Sequence, residues 1–454
     1  MNSAAPPTGT VESRAPASSW YALGVLVLTT LFAFVDKQIL SLIAPSLQRS
    51  LGFSDLQIGA LQGLGLAIFA SLASYPYGWL ADRFGRRLLL AIGAAIWALS
   101  TAACAFQNSF IGLFIATIGV AVGEAGLGPI IFAVIPDLFS GRQRNTANFI
   151  YFAAALLGAA AGMALGGLTL AWIGSAHASL PPVLAGMEPW RVALLIVAAP
   201  GPIFVGLILS IRAPADRRRL RDPNALPKHG MMPILPFAKA NWRTLVCVLG
   251  AIPAYGLPMN STFVWLSVAV PRIFGTASSS VGIQMGIAFA IGSILGLLLP
   301  PVANKLLRGT SPLRSINLAR AFLLSGLVPT LFMPFSSAPW QVYAAGAGQM
   351  MLGLATAAMM PGILQDISPA PLRARILAML GIATGISAGL APLFVGAVSE
   401  LIEGPRGVLV AIVIVGLPGW LISFGLLSLG RKPFLWTIEA LACGGDPSER
   451  SSVS

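Results

Sequence analysis

Apolar stretches of about 20 residues or more, each long enough to cross a hydrocarbon core of ~30 Å, recur along nearly the whole chain. Polar punctuation divides them into twelve predicted helical spans, at roughly 20–47, 55–80, 87–107, 110–137, 146–173, 190–212, 242–270, 280–303, 313–335, 339–365, 371–400 and 406–430. An even count places both termini on one side. Only one polar connection is long, residues 213–241, with ADRRRLRDPNALPKHG at its heart. The pattern therefore predicts an all-α membrane protein in two halves: a tail (1–19), a six-helix bundle (20–212), a linker (213–241), a second six-helix bundle (242–430) and a second tail (431–454).

Composition sharpens this picture. The chain is 56% hydrophobic and only 9% charged, against about 25% charged in soluble proteins, which excludes a large soluble domain. Residues 1–19 lack a basic segment followed by a short apolar core, so the first span is expected to stay in place as a helix. Cys104, Cys247 and Cys443 are scattered and none lies in a CxxC pair, so neither a disulfide framework nor a metal site is expected. No cofactor is expected either.

The net charge of +13 would suggest nucleic acid in a soluble domain. Its distribution argues otherwise. With the termini placed inside, every Lys and Arg falls on the cytoplasmic side except Arg49, Arg191, Arg272, Arg406 and the intramembrane Lys37. The Arg217–Arg219 run then reads as a topology determinant facing anionic lipid, and nucleic acid is excluded as a partner.

The halves resemble copies of each other. Asp82-Arg83, between spans two and three, finds its counterpart in Asn304-Lys305, between spans eight and nine. After span four, Asp137 is followed seven residues on by Arg144; after span ten, Asp366 is followed seven residues on by Arg373. Such duplication is characteristic of secondary transporters with a site between the repeats.

The stretch YPYGWLADRFGRRLLL, residues 75–90, contains Gly78-Trp79-Leu80-Ala81-Asp82-Arg83-Phe84-Gly85-Arg86-Arg87. This resembles the GxLADRxGRR signature of the major facilitator superfamily, in the loop where that family carries it. Gly78 and Gly85 permit a tight turn, and Asp82 is an acid at the membrane boundary that needs a positive partner. Two are available: the amino end of span eleven, with Ser368 as a cap, and Arg144. The resemblance implies a cytoplasmic gate involving Asp82, Arg83, Arg86, Asp137 and Arg144, with Asp366 and Arg373 in the repeat. Charges that serve topology alone are the other reading. Within the superfamily, FAFVDKQIL, GVAVGEAGLGPIIFAVIPDLF and STFVWLSVAVPRIFG resemble the spinster-like branch, whose animal members carry lysolipids and sphingosine phosphate. This chain has Asp36-Lys37 where the branch has Asp-Arg, and Thr117 where it has an Arg seven residues before the span-four Glu.

Asp36, Lys37 and Glu124 lie well inside predicted spans, each at a cost of at least ~3 kcal/mol unless paired or wet. At 1.5 Å per residue, Asp36 and Glu124 lie about 16 and 21 Å from the outer ends of their spans, at similar levels. Adjacent helical residues point about 100° apart, so Asp36 and Lys37 each need a separate neighbour. The simplest arrangement sets Lys37 against Glu124 and leaves Asp36 free to exchange a proton, with Asp36 and Glu124 as the proton-coupling pair. The alternative is a static ion pair that fixes spans one and four. Lys37, Thr117, Tyr255, Asn260 and Trp265 are the candidate substrate contacts. Gly158, Gly162 and Gly166 on span five form a close-packing face.

No catalytic constellation appears inside the spans, and His177 and His229 lie outside them, so an enzyme is not expected. The expected activity is secondary transport by alternating access in a bacterial inner membrane, by a monomer. Its expected partners are protons, the lipid bilayer and an amphipathic, lysolipid-like substrate. The alternative is a proton-coupled carrier of a small organic anion or hydrophobic drug.

Overall fold

The computed structural model describes residues 15–176, 180–211, 234–306, 311–369 and 372–442. Twelve helical segments are long and apolar enough to cross a membrane. Spans one (Ala17–Leu51), three (Arg86–Cys104), five (Gly141–Ala176), seven (Trp242–Phe274), eight (Ser278–Leu306), ten (Pro339–Asp366), eleven (Arg373–Ser399) and twelve (Gly407–Leu429) are unbroken. Four are interrupted: span two (Asp55–Gln62, Leu64–Phe84), span four (Phe110–Glu124, Leu127–Leu138), span six (Pro189–Ala198, Gly201–Ser210) and span nine (Arg314–Ser325, Leu327–Phe332).

The interruptions have local causes. Pro200 lacks the amide that would continue span six. At Gly63 the break falls where another backbone crosses, since a Cβ there would stand 2.2 Å from the Gly389 carbonyl oxygen. Turns follow the same logic: Gly85 adopts φ 98°, which explains why a glycine sits between Asp82-Arg83 and Arg86-Arg87. Span two begins with a capping box, in which the Ser54 hydroxyl accepts from the Gln57 amide and the Gln57 side chain accepts from the Ser54 amide.

The two halves meet along two seams, span two against span eleven and span five against span eight. The half-chain repeat exchanges these pairs, so one interface is used twice. Both seams are backbone against backbone: Gly59 faces the Pro392 carbonyl and Gly396 that of Asp55, while Gly282 meets Gly167, and Gly286 meets Ala160 and Ala164. Without a hydrophobic drive between helices in lipid, such close packing is what holds them together. Gly158 and Gly162 serve another purpose, accommodating Phe34 of span one.

Two apolar cores form, one that runs through the first half and on into the second, and one confined to the second half. Trp97, Trp265 and Trp420 are fully buried within them, and each indole finds an acceptor: Asp36, the Pro392 carbonyl and Thr330 respectively. At the half-chain spacing from Asp36 and Thr101, the second half places Thr262 and Thr330. They join Gln349 and Trp420 in a buried network without charge.

Two short helices at the base of the second half were not predicted, nor was a single helical turn, Pro182–Ala185, before span six. Ile234–Ala240 occupies the end of the linker and Arg431–Ala442 the start of the second tail. The Arg217–Arg219 run, His177, His229 and Cys443 lie outside the described residues.

Candidate functional site

A cavity of about 530 Å³ lies between the halves. Its walls are mostly apolar, with Phe34, Met259, Phe263, Phe289, Met350 and Leu354 among them. The first half contributes Lys37, Gln38, Ser41 and Gln62; the second contributes Tyr255, Asn260, Thr384 and Ser387. Lys37 is the only charged residue lining it among the described residues. Its ammonium has no carboxylate within ion-pair distance among the described residues. The expected Lys37–Glu124 contact is thus not made: the two charges act on each other through space without touching.

Asp36 is turned away from the cavity by the ~100° step that separates it from Lys37. It is buried against span three, where one carboxylate oxygen, Oδ2, accepts from the Trp97 indole and, at 2.7 Å, from the Thr101 hydroxyl. Its other oxygen, Oδ1, is buried without a hydrogen-bond partner. Glu124 ends the first segment of the broken span four. Its Oε1 is likewise buried and unpartnered, as is the hydroxyl of Tyr77. Span three links these groups. Gly123, next to Glu124, packs onto the backbone of Gly93 and Trp97, and the Tyr77 ring packs beside Gly93 and Gly126. The polar centre therefore has two compartments, a lone ammonium facing the cavity and two carboxyls behind its wall.

The other substrate candidates divide. Tyr255 and Asn260 line the cavity, and the Asn260 amide donates to the Gly256 carbonyl at 2.8 Å and to Ser387 Oγ at 3.5 Å. Thr117 and Trp265 do not reach it. Thr117 is fully buried with its hydroxyl on the Leu113 carbonyl (2.8 Å), and the Trp265 indole ties span seven to span eleven through the Pro392 carbonyl (3.0 Å).

At the end remote from the termini, a polar cluster absent from the sequence reading closes the space between the halves. Arg272 of span seven makes a bidentate contact with Asp55 of span two, at 2.6 and 2.9 Å, and reaches Gln48 of span one at 3.1 Å. Asp55 also accepts from Gln48 (2.6 Å) and Ser399 (2.8 Å), and Glu400 accepts from the Leu56 amide (2.9 Å). Deeper in, the Ser267 hydroxyl donates to the Ser41 carbonyl at 2.9 Å. The bonds that Arg272, Ser399, Glu400 and Ser267 make to the first half all lie toward this end. The clue in the sequence was Arg272 itself, one of few arginines on that side.

The gating candidates lie at the opposite end. Arg86 bonds Asp137 and the Ala133 carbonyl, tying span three to span four within the first half. The Arg83 guanidinium lies 5.5 Å from the Trp79 ring centre and 5.7 Å from that of Phe84. Arg144, Asp366 and Arg373 are exposed, and the side chain of Asp82 lies outside the described residues. Ser368 does not cap span eleven. Its hydroxyl turns back to the Leu364 carbonyl, and the helix starts five residues beyond it, at Arg373.

These features can be set beside known proteins. Protein spinster homolog 1 of Xenopus laevis is 27% identical over 319 residues, covering 69% of this chain and 59% of that protein. An MFS-type efflux pump of Mycolicibacterium smegmatis is 25% identical over 295 residues, 64% of each chain. The chain thus spans about three-fifths of the length of these curated relatives. The crystal structure of a bacterial homolog to the human lysosomal transporter spinster, inward-facing and unoccupied, shares the fold. Its TM-score is 0.71 at 18% identity, covering 95% of this chain and 99% of that one. The family model of the Major Facilitator Superfamily matches residues 26–361, a range that runs from span one through most of span ten. With twelve spans, exchanged seams and a cavity between two halves, the chain belongs to the major facilitator superfamily, with spinster proteins among its relatives.

Proposed function

We propose that the chain is a proton-coupled secondary transporter that moves an amphipathic, anionic lysolipid-like substrate by alternating access. The observation that carries this reading is Lys37, the one charged residue on the mostly apolar wall of the cavity between the halves and without an ion-pair partner, both among the described residues. A phosphate or carboxylate head group fits the ammonium, with Gln38, Ser41 and Gln62 beside it. An acyl chain fits the wall of Phe34, Met259, Phe263 and Phe289. A small polar anion would need several convergent donors, and one charge with scattered hydroxyls and amides suits a head group attached to a tail.

Coupling follows from charge. A proton on Asp36 Oδ1 leaves Oδ2 free to go on accepting from Trp97 and Thr101, so protonation needs no rearrangement of that network. With Asp36 and Glu124 neutral, the Lys37 charge is uncompensated and draws in an anion; with both ionised, their field offsets it. Proton and anion then favour each other's binding, and linkage makes the effect reciprocal. The Asp55–Arg272 cluster shuts one face while the other loads; its opening, with closure at the Asp82–Arg86 loop, delivers the cargo.

The test is uptake by purified protein in liposomes, comparing a lysophospholipid with a small carboxylate and a hydrophobic cation under an imposed pH gradient. Saturable, gradient-dependent lysolipid movement that fails with Lys37→Ala is expected. Equal transport of the small carboxylate, with no lysolipid movement, would transfer the assignment to a small-anion carrier; gradient-independent flux would remove the proton.

A further inference from the structure

The two unpredicted short helices form one feature. Ile234–Ala240 leads into span seven, and Arg431–Ala442 follows span twelve, on the side of the membrane that carries the termini. They are fastened to the base of the second half. Thr437 shares a hydrogen bond with Thr244 at 2.9 Å and donates to the Asn241 amide oxygen at 3.1 Å. Phe237 and Phe434 are buried in the core of that half. The platform is therefore rigidly placed.

Its outer face combines two chemistries. Leu235, Trp242 and Trp436 are exposed large apolar side chains. Lys239, Arg243 and Lys432 are exposed cations between them, and Arg243 lies 5.5 Å from the Trp242 ring centre. Leu235 and Lys239 lie four apart on the first short helix, as Lys432 and Trp436 do on the second, and Trp242 with Arg243 opens span seven just beyond the first. Arg431 adds a fourth cation whose Nε is buried with no hydrogen-bond partner. Glu439 is the one acid in these two helices, and none of the four cations forms an ion pair with a described residue. Indole rings settle at the level of head groups, and cations beside them meet lipid phosphates.

We infer that this platform is a binding surface for anionic phospholipid on the terminal side of the membrane. It is separate from the transport cavity, and it fixes the base of spans seven and twelve against the bilayer. Charge complementarity decides the occupant: four cations against one acid would repel a second copy of the same face and have nothing to hold in a zwitterionic lipid. Because this surface lies outside the cavity, it does not depend on the substrate assignment above.

The experiment uses the full-length protein in nanodiscs of phosphatidylcholine with brominated phosphatidylglycerol, compared with brominated phosphatidylcholine at the same fraction. Brominated phosphatidylglycerol is expected to quench tryptophan emission more strongly. That excess should fall at least about twofold both in Trp242→Phe/Trp436→Phe and in Lys239→Gln/Arg243→Gln/Lys432→Gln, and in wild type at high salt. Removing two remote-side arginines, Arg49→Gln/Arg406→Gln, should leave it unchanged. The inference is overturned if the two lipids quench equally, if the excess survives in the cation variant, or if the remote variant loses it as well. Should the cation variant fail to fold, the tryptophan variant and the salt dependence decide alone. Dimers that form through this face without anionic lipid would also overturn it.

Discussion

Replacing Asp55 by Asn removes the charge at the centre of the remote-side cluster while keeping its size. The carboxylate is 9% exposed and accepts from Arg272, Gln48 and Ser399, whereas the Arg272 side chain is 32% exposed. Breaking a fully buried ion pair costs 3–5 kcal/mol, and an exposed pair is worth 0–1. A half-wet arginine on a buried aspartate falls between, at about 2 kcal/mol. Because the pair bridges the halves, that loss falls on the closed state of this face and not on either bundle alone. A 2 kcal/mol shift is about a 30-fold change in the ratio of closed to open. Spin labels placed on the remote ends of spans one and seven, read by pulsed electron resonance, should show a longer-distance population grow in Asp55→Asn and in Arg272→Gln. The double variant should add little to either single one, because both delete one interaction. Unchanged distances in both single variants, or full additivity in the double, would refute the assignment of this cluster as the lock.

Three other outcomes are expected. Asp36→Asn keeps an acceptor for Trp97 and Thr101 but cannot exchange a proton, so transport should lose its dependence on the pH gradient while substrate binding, measured by fluorescence or calorimetry, persists. Lys37→Ala should weaken binding of an anionic lysolipid at least about tenfold, roughly the 1.4 kcal/mol of one charge-assisted contact, and leave a neutral analogue unaffected; competition binding reads both. Gly63→Ala would place a Cβ 2.2 Å from the Gly389 carbonyl oxygen, a backbone atom that cannot swing aside, so the span two–eleven seam must part. A lower melting temperature, or a remote face that labels as open, is expected, and an unaltered protein would show that this seam has slack.

Much of the architecture is visible in the sequence because membrane insertion imposes a coarse rule, about 20 apolar residues per span, that needs no knowledge of neighbours. The predicted bounds agree with the observed helices to within a few residues, apart from longer first, fifth and seventh spans. The interruption at Gly63 was invisible because it depends on the Gly389 backbone that crosses there, not on the residues of span two itself. At the site, burial of charges in spans one and four could be foreseen, but their partners could not. Trp97 and Thr101 are ordinary residues of an apolar helix, and only the rotation of span three brings both to Asp36. Ser368 looked like a cap because Pro and Ser are common near helix starts, yet the helix starts beyond it. Thr117 stands where the spinster-like branch has an Arg and Trp265 lies on span seven, and neither a matched position nor a place on a span fixes which way a side chain turns.

Thr262 and Thr330 stand, in the second half, where Asp36 and Thr101 stand in the first, and they are joined by Gln349 of span ten and Trp420 of span twelve in a network without charge. The duplicated ancestor has therefore drifted into a division of labour. One bundle keeps an ionisable group in its interior, while its twin holds a polar rivet without charge. On the coupling proposed above, a hybrid built from two copies of the first half would respond to acid on both sides of its cavity, and one built from two copies of the second would be deaf to it.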